Sequence, residues 1–161
     1  MFSTAASLPR LVLAGLLICS SLALADDAQI ERGRYLVKIA GCNDCHTAGY
    51  LQAPGAIPES DWLKGDRMGW NGPWGTSYAK NLRLRLAQLS ESQWLALART
   101  ADFRPPMPNE TLHVMTDDDL LAIYQLVRYL GPAGEPAPEA LPPGQVPVGP
   151  VVIFPSPPAG D

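Results

Sequence analysis

Apolar residues recur with helical spacing in three places along the chain and lose their period between them. In residues 28–40, Ile30, Gly33, Val37 and Ala40 share one face at 3.6-residue spacing, and Gly41 follows as a stop. Ser90-Glu91-Ser92-Gln93 reads as a capping box, continued by Trp94, Leu95, Leu97 and Ala98 as a short helix. Thr116, with acids at 117, 118 and 119, opens a third helix with the apolar stripe Leu120, Ile123, Tyr124, Val127 and Leu130, which Gly131-Pro132 ends. From 47 to 89, Gly, Pro, Trp and Asn replace periodicity, which predicts mostly loop around something it encloses. The run Arg104-Pro105-Pro106-Met107-Pro108 forbids helix, because each proline lacks an N–H and restrains the residue before it.

The two ends read differently from the middle. Residues 1–25 combine Arg10, an uncharged apolar run from Leu11 to Leu17, and Ala23-Leu24-Ala25, the layout of a secretory signal peptide, with Cys19 removed along with it. Residues 131–161 hold ten of the 17 prolines, so the tail is expected to be extended and polyproline-like. Val146, Val148 and the run Val151-Val152-Ile153-Phe154 are too apolar for a solvated linker, so part of the tail should lie on its own domain or on a partner. The expected organisation is a signal peptide at 1–25, one domain at 26–132 and an extended tail at 133–161. A formal net charge of −4 gives no electrostatic reason to expect nucleic acid or an anionic membrane surface as partner. No membrane insertion is expected after signal cleavage.

With the leader removed, two cysteines survive, in the stretch Gly41-Cys42-Asn43-Asp44-Cys45-His46. Three chemistries want two thiols at this spacing: a redox disulfide, half of a zinc site, or covalent haem attachment. A redox pair belongs at a strand-to-helix junction, and no βαβ alternation is legible. Zinc would have to recruit Cys42, Cys45, His46 and His113 together, with His46 adjacent to Cys45. Haem attachment uses all three features: two thiols to add across the porphyrin vinyl groups and a histidine on the next residue to reach the iron. The export signal and the helix leading into the motif favour the haem reading, and an apolar macrocycle enlarges an otherwise modest core.

At these residues the chain resembles the class I c-type cytochromes. Residues 31–49 look like the family's first helix and attachment site, Pro105-Pro106-Met107-Pro108 like its methionine loop, and residues 115–130 like its final helix. Gly72-Pro73-Trp74-Gly75-Thr76-Ser77-Tyr78-Ala79-Lys80-Asn81 further resembles a stretch found in cytochrome modules of bacterial periplasmic dehydrogenases, which carry several attachment motifs where this chain has one. The resemblance implies an all-α fold, a small helical domain wrapped around one covalent haem c. It also implies a first and a last helix that cross near Gly33, with Tyr124 or Val127 approaching the first helix's backbone.

His46 is then the proximal iron ligand. Met107, Met68, Met115 and His113 are candidates for the sixth position, with Met107 favoured by its stiff loop and by the position the resemblance gives it. Trp74, Tyr78, Asn81, Arg83 and Arg104 are candidate donors to the haem propionates. Basic residues between 80 and 104 suggest a surface that steers an acidic redox partner. The expected function is periplasmic electron transfer, as a soluble carrier or a dehydrogenase-associated subunit, rather than catalysis. Its partners would be a dehydrogenase or quinol-oxidising complex on one side and an oxidase or reductase on the other. The competing reading is a haem enzyme or sensor with an open or labile sixth position, for which His113 or Arg104 would serve as the distal group.

Overall fold

A computed structural model describes residues 27–155; the expected signal peptide at 1–25, with Cys19, lies outside them. The first helix, α1, covers residues 27–39 and is followed by α2 (Cys42–His46). Gly41 separates the two in the left-handed region at φ 71°, a conformation glycine adopts without a Cβ penalty. A single 3-10 turn at Glu59–Asp61 precedes two strands, β1 (Gly69–Gly72) and β2 (Gly75–Tyr78). Four helices follow: α3 (Leu82–Ala87), α4 (Glu91–Thr100), α5 (Asn109–Val114) and α6 (Asp117–Leu130). The tail ends in β3 (Val151–Ile153).

The all-α expectation is therefore overturned. β1 and β2 form an antiparallel hairpin, and β3 adds to β1 in parallel, giving a mixed three-stranded sheet in the order β2-β1-β3. The hairpin escaped notice because its strands are four residues long and rich in glycine, which carries no β-pattern. The β-branched run Val151-Val152-Ile153 was the strand signal in the tail, hidden among prolines. The described part of the tail is extended, and it lies on its own domain rather than apart from it. Phe154 donates its N–H to the Asn71 carbonyl at 2.8 Å and packs its ring 5.2 Å from that of Trp74. Val146 and Val148 remain exposed.

The three helices read from periodicity are present. Ser90 and Gln93 close the capping box of α4, and the Thr116 side chain accepts the Asp119 N–H at the start of α6. Leu120, Ile123, Tyr124 and Val127 are buried, together with Ala122 and Leu126. They form one core with Leu36, Val37, Leu63, Leu86, Trp94 and Leu112. Arg83 joins α3 to the end of α6. Its guanidinium donates to the Leu130 and Gly131 carbonyls and, at 2.8 Å, to that of Ser60, supplying a cation and partners to a helix C-terminus that has orphan acceptors.

α1 crosses α6 at Gly33, but not where Tyr124 or Val127 lies. A Cβ on Gly33 would overlap the Ala122 carbonyl oxygen and come 2.8 Å from Leu126 Cβ, so the close approach of the two helices depends on Gly33 having no side chain. Tyr124 instead points toward α3 and α4, donating its hydroxyl to the Leu89 carbonyl at 2.7 Å. Replacing Gly33 with Val should force the helices apart and destabilise the protein by at least about 2 kcal/mol. A lowered urea midpoint with unchanged slope is the expected result, and an unchanged midpoint would count against the close crossing.

Candidate functional site

The C-x-x-C-H stretch forms a helical turn whose position is fixed from both sides. Cys42 and Cys45 are three apart on α2 and therefore share a face; both are free thiols. His46 closes the turn and is buried. Its Nδ1 lies 2.7 Å from the Lys80 carbonyl, and because a carbonyl only accepts, Nδ1 carries the proton. The other ring nitrogen, Nε2, makes no hydrogen bond among the described residues. It is left with a lone pair, the form in which imidazole ligates a metal. Burial lowers the His46 pKa, an effect the Lys80 bond partly offsets, so the ring is neutral at neutral pH.

The turn after His46 is tied down by buried polar groups. The Thr47 hydroxyl donates to Asn43 Oδ1 at 2.8 Å and accepts the Leu63 N–H at 2.8 Å. Gly65 donates its N–H to the His46 carbonyl, also at 2.8 Å. Asn43 Nδ2 is buried and has no partner among the described residues.

The methionine loop has its own closure, which sequence reasoning missed. Asn109 accepts the Phe103 N–H on Oδ1 at 2.9 Å and returns Nδ2 to the Phe103 carbonyl at 2.9 Å, pinching residues 103–109 into a closed loop. Met107, partly buried, packs against the same core as Cys42. The Ser77 hydroxyl donates to the Pro105 carbonyl at 2.8 Å. Ser77 is three residues before Lys80, and three extended residues span at most about 10 Å. The strand that touches the methionine loop is thus continuous with the carbonyl that orients His46.

The sequence-derived donors are mostly committed elsewhere. Asn81 caps α3 through Oδ1 and donates Nδ2 to the Ala133 and Glu135 carbonyls, at 2.8 and 3.2 Å. Arg83 holds α6, as described above. Trp74 donates Nε1 to the Trp70 carbonyl at 3.3 Å. Tyr78 is buried on the opposite sheet face from Ser77, since it pairs with Gly69 while Ser77 pairs with Trp70. Arg104 donates to the Leu141 carbonyl. The basic stretch is largely paired too, with Lys80 on Glu139 and Arg99 on Asp117. Of the other candidate ligands, His113 bonds the Ala101 carbonyl through Nε2 at 3.2 Å, Met115 packs against the core, and Met68 donates its N–H to Asp66.

Trp70, not among the expected propionate donors, carries a second unpaired donor. Its Nε1 is buried with no partner among the described residues, on the sheet face that Ser77 shares and that the Pro105 carbonyl touches. A buried N–H without an acceptor costs about 1–3 kcal/mol, which an anionic oxygen arriving on that face would offset.

Compared with protein-family models, with curated proteins and with solved structures, the chain matches none. Among the described residues no group of three or more His, Cys, Asp or Glu converges as a metal cluster. The described residues supply two free thiols on one helix face, an adjoining imidazole whose Nε2 makes no hydrogen bond among them, a thioether packed on the helical core and, on the sheet, a buried indole N–H without a partner. That set fits a thioether-linked iron porphyrin, which asks for two thiols, one nitrogen ligand and a donor to a carboxylate.

The two thiols differ in reactivity. Burial pushes the Cys42 pKa up to about 11 from 9.0, and raises that of Cys45 as well. At pH 8 the Cys42 thiolate is then roughly a hundredfold scarcer than for a free thiol. In the haem-free chain, iodoacetamide at that pH should label Cys45 before Cys42, as peptide mass mapping would report; equal labelling would contradict the greater desolvation of the Cys42 thiol.

Proposed function

We propose that the chain is an exported one-haem electron-transfer protein, with haem c joined through Cys42 and Cys45, His46 as proximal ligand and Met107 as sixth ligand. The observation that carries this reading is the Nδ1 bond from His46 to the Lys80 carbonyl, at 2.7 Å and immediately after two free cysteines. It fixes the tautomer, holds the ring plane and raises the basicity of Nε2, as a ligating histidine requires. The leader-like residues 1–25 support export to the periplasm, where a covalent link keeps the group from being lost.

When bound, the group supplies one-electron chemistry; the residues of the chain do the rest. Cys42 and Cys45 anchor from one helix face, and His46 holds its neutral ring toward the iron position. Met107 offers a soft thioether from a loop closed by Asn109, a pairing with histidine that favours the reduced state. Trp70 Nε1 takes the part of carboxylate donor that the sequence suggested for Trp74, Asn81 and Arg83, whose donors are occupied. No acid, base or nucleophile is required, so the protein passes electrons between redox proteins of the periplasm, a dehydrogenase or quinol-oxidising complex on one side and an oxidase or reductase on the other.

The dithionite-reduced protein should show sharp haem c bands that carbon monoxide does not change, because the iron is closed on both faces. Met107→Ala should bind carbon monoxide completely while retaining the covalent haem. Rapid binding by the unaltered protein would instead favour a haem enzyme or gas sensor, and a chain without haem bands after export would remove the cofactor reading altogether.

A further inference from the structure

We propose that the proline-rich tail is a strap that positions the methionine loop, with Leu141 as its point of attachment. This rests on the reading of Met107 as an iron ligand. Leu141 exchanges both backbone hydrogen bonds with Thr76, N–H to carbonyl in each direction at 2.9 Å. Its carbonyl also accepts from Arg104 Nη1 at 3.2 Å. Ser77, the next residue of β2, holds the Pro105 carbonyl at 2.8 Å. Tail, strand and loop are thus joined in pairs, and Arg104 and Pro105 stand three and two residues before Met107.

The same tail reaches the proximal side. Lys80 donates Nζ to the Pro138 carbonyl at 3.3 Å and pairs with Glu139 at 3.2 Å, while its own carbonyl orients His46. Asn81 holds the tail at Ala133 and Glu135. One extended segment therefore braces, through residues 76–81, the strand that connects both proposed ligands.

The local sequence suits this task. Leu141 follows Ala140, and its N–H is available, whereas Pro142 and Pro143 have none to offer. Prolines at 136, 138, 142 and 143 keep the free chain extended, so less entropy is lost when it docks. Beside Thr76, the partner of Leu141, stands Gly75, at φ 94°, where any Cβ would overlap the Leu141 carbonyl oxygen. Glycine at that point lets the tail approach the hairpin's backbone.

The test uses the full-length, haem-loaded, reduced protein carrying Arg104→Gln or Leu141→Pro. The first removes the side-chain bond to the tail and the second the Leu141 N–H to Thr76. Carbon monoxide binding measures how often the methionine leaves the iron, and far-ultraviolet circular dichroism checks the helices. Each variant should raise carbon monoxide binding several-fold, to about tenfold when both are combined, as expected for losing two hydrogen bonds. If Leu141→Pro loses helical signal, the exposed substitution Arg104→Gln decides. Unchanged binding in folded variants, with the unaltered protein closed to carbon monoxide, would overturn the strap while leaving Met107 as ligand. Free binding by the unaltered protein would remove Met107 as ligand, and the strap with it.

Discussion

Leu63 occupies the left-handed region at φ 59° with its side chain fully buried, an arrangement that costs a residue other than glycine about 1–2 kcal/mol. The surroundings hold it there because both of its backbone polar groups are used. Its N–H goes to the Thr47 hydroxyl, and its carbonyl accepts from Leu82 at 2.9 Å and from Arg83 at 3.3 Å. The turn that carries His46 and the start of α3 are therefore fastened to a single residue. Arg83 then carries the connection to the end of α6, and α6 meets α1 at Gly33. The position of the cysteine pair at the end of α1 follows from that circuit, since only Gly41 and its neighbour stand between the two helices.

A domain of this size has little apolar surface to bury, and its layout shows how the deficit is met. The helices supply one core; the sheet lies outside it and is held largely by backbone bonds and the aromatic contacts of Phe154 with Trp70 and Trp74. Polar side chains work as fasteners in this half of the molecule. Asn71 to Thr76, Ser77 to Pro105 and Asn109 to Phe103 each join a short segment that could not stay ordered through burial alone.

The helices were legible because period and capping agreed: Ser90 with Gln93, and Thr116 before three aspartates, mark starts that the apolar stripes then confirm. The cysteine and histidine spacing was legible as chemistry, and the structure adds the Lys80 carbonyl, which no motif encodes because a backbone acceptor has no side-chain signature. The sheet was not legible. Its strands are short, β1 and β2 carry glycine, and β3 joins β1 from a distant part of the chain, so the sheet's order depends on a contact that no local window contains. Asn81 and Arg83 were read as ligand donors because of their type; in place they satisfy helix ends, which is what buried polar side chains most often do. Trp70 was legible only as an aromatic that excludes water, because its distinction, a donor without an acceptor, exists only once the neighbours are known.

β3 pairs with β1 across about 80 residues of chain, far more than separates the partners in the hairpin. Closing so long a loop costs more conformational entropy than closing the hairpin turn, so the parallel pairing is the more costly of the two to form. Without it, the sheet face bearing Trp70 lacks its cover of Val152 and Phe154. The cover of Trp70 thus comes from the most distant strand of the sheet, and that face is closed only once the two ends of the domain have met.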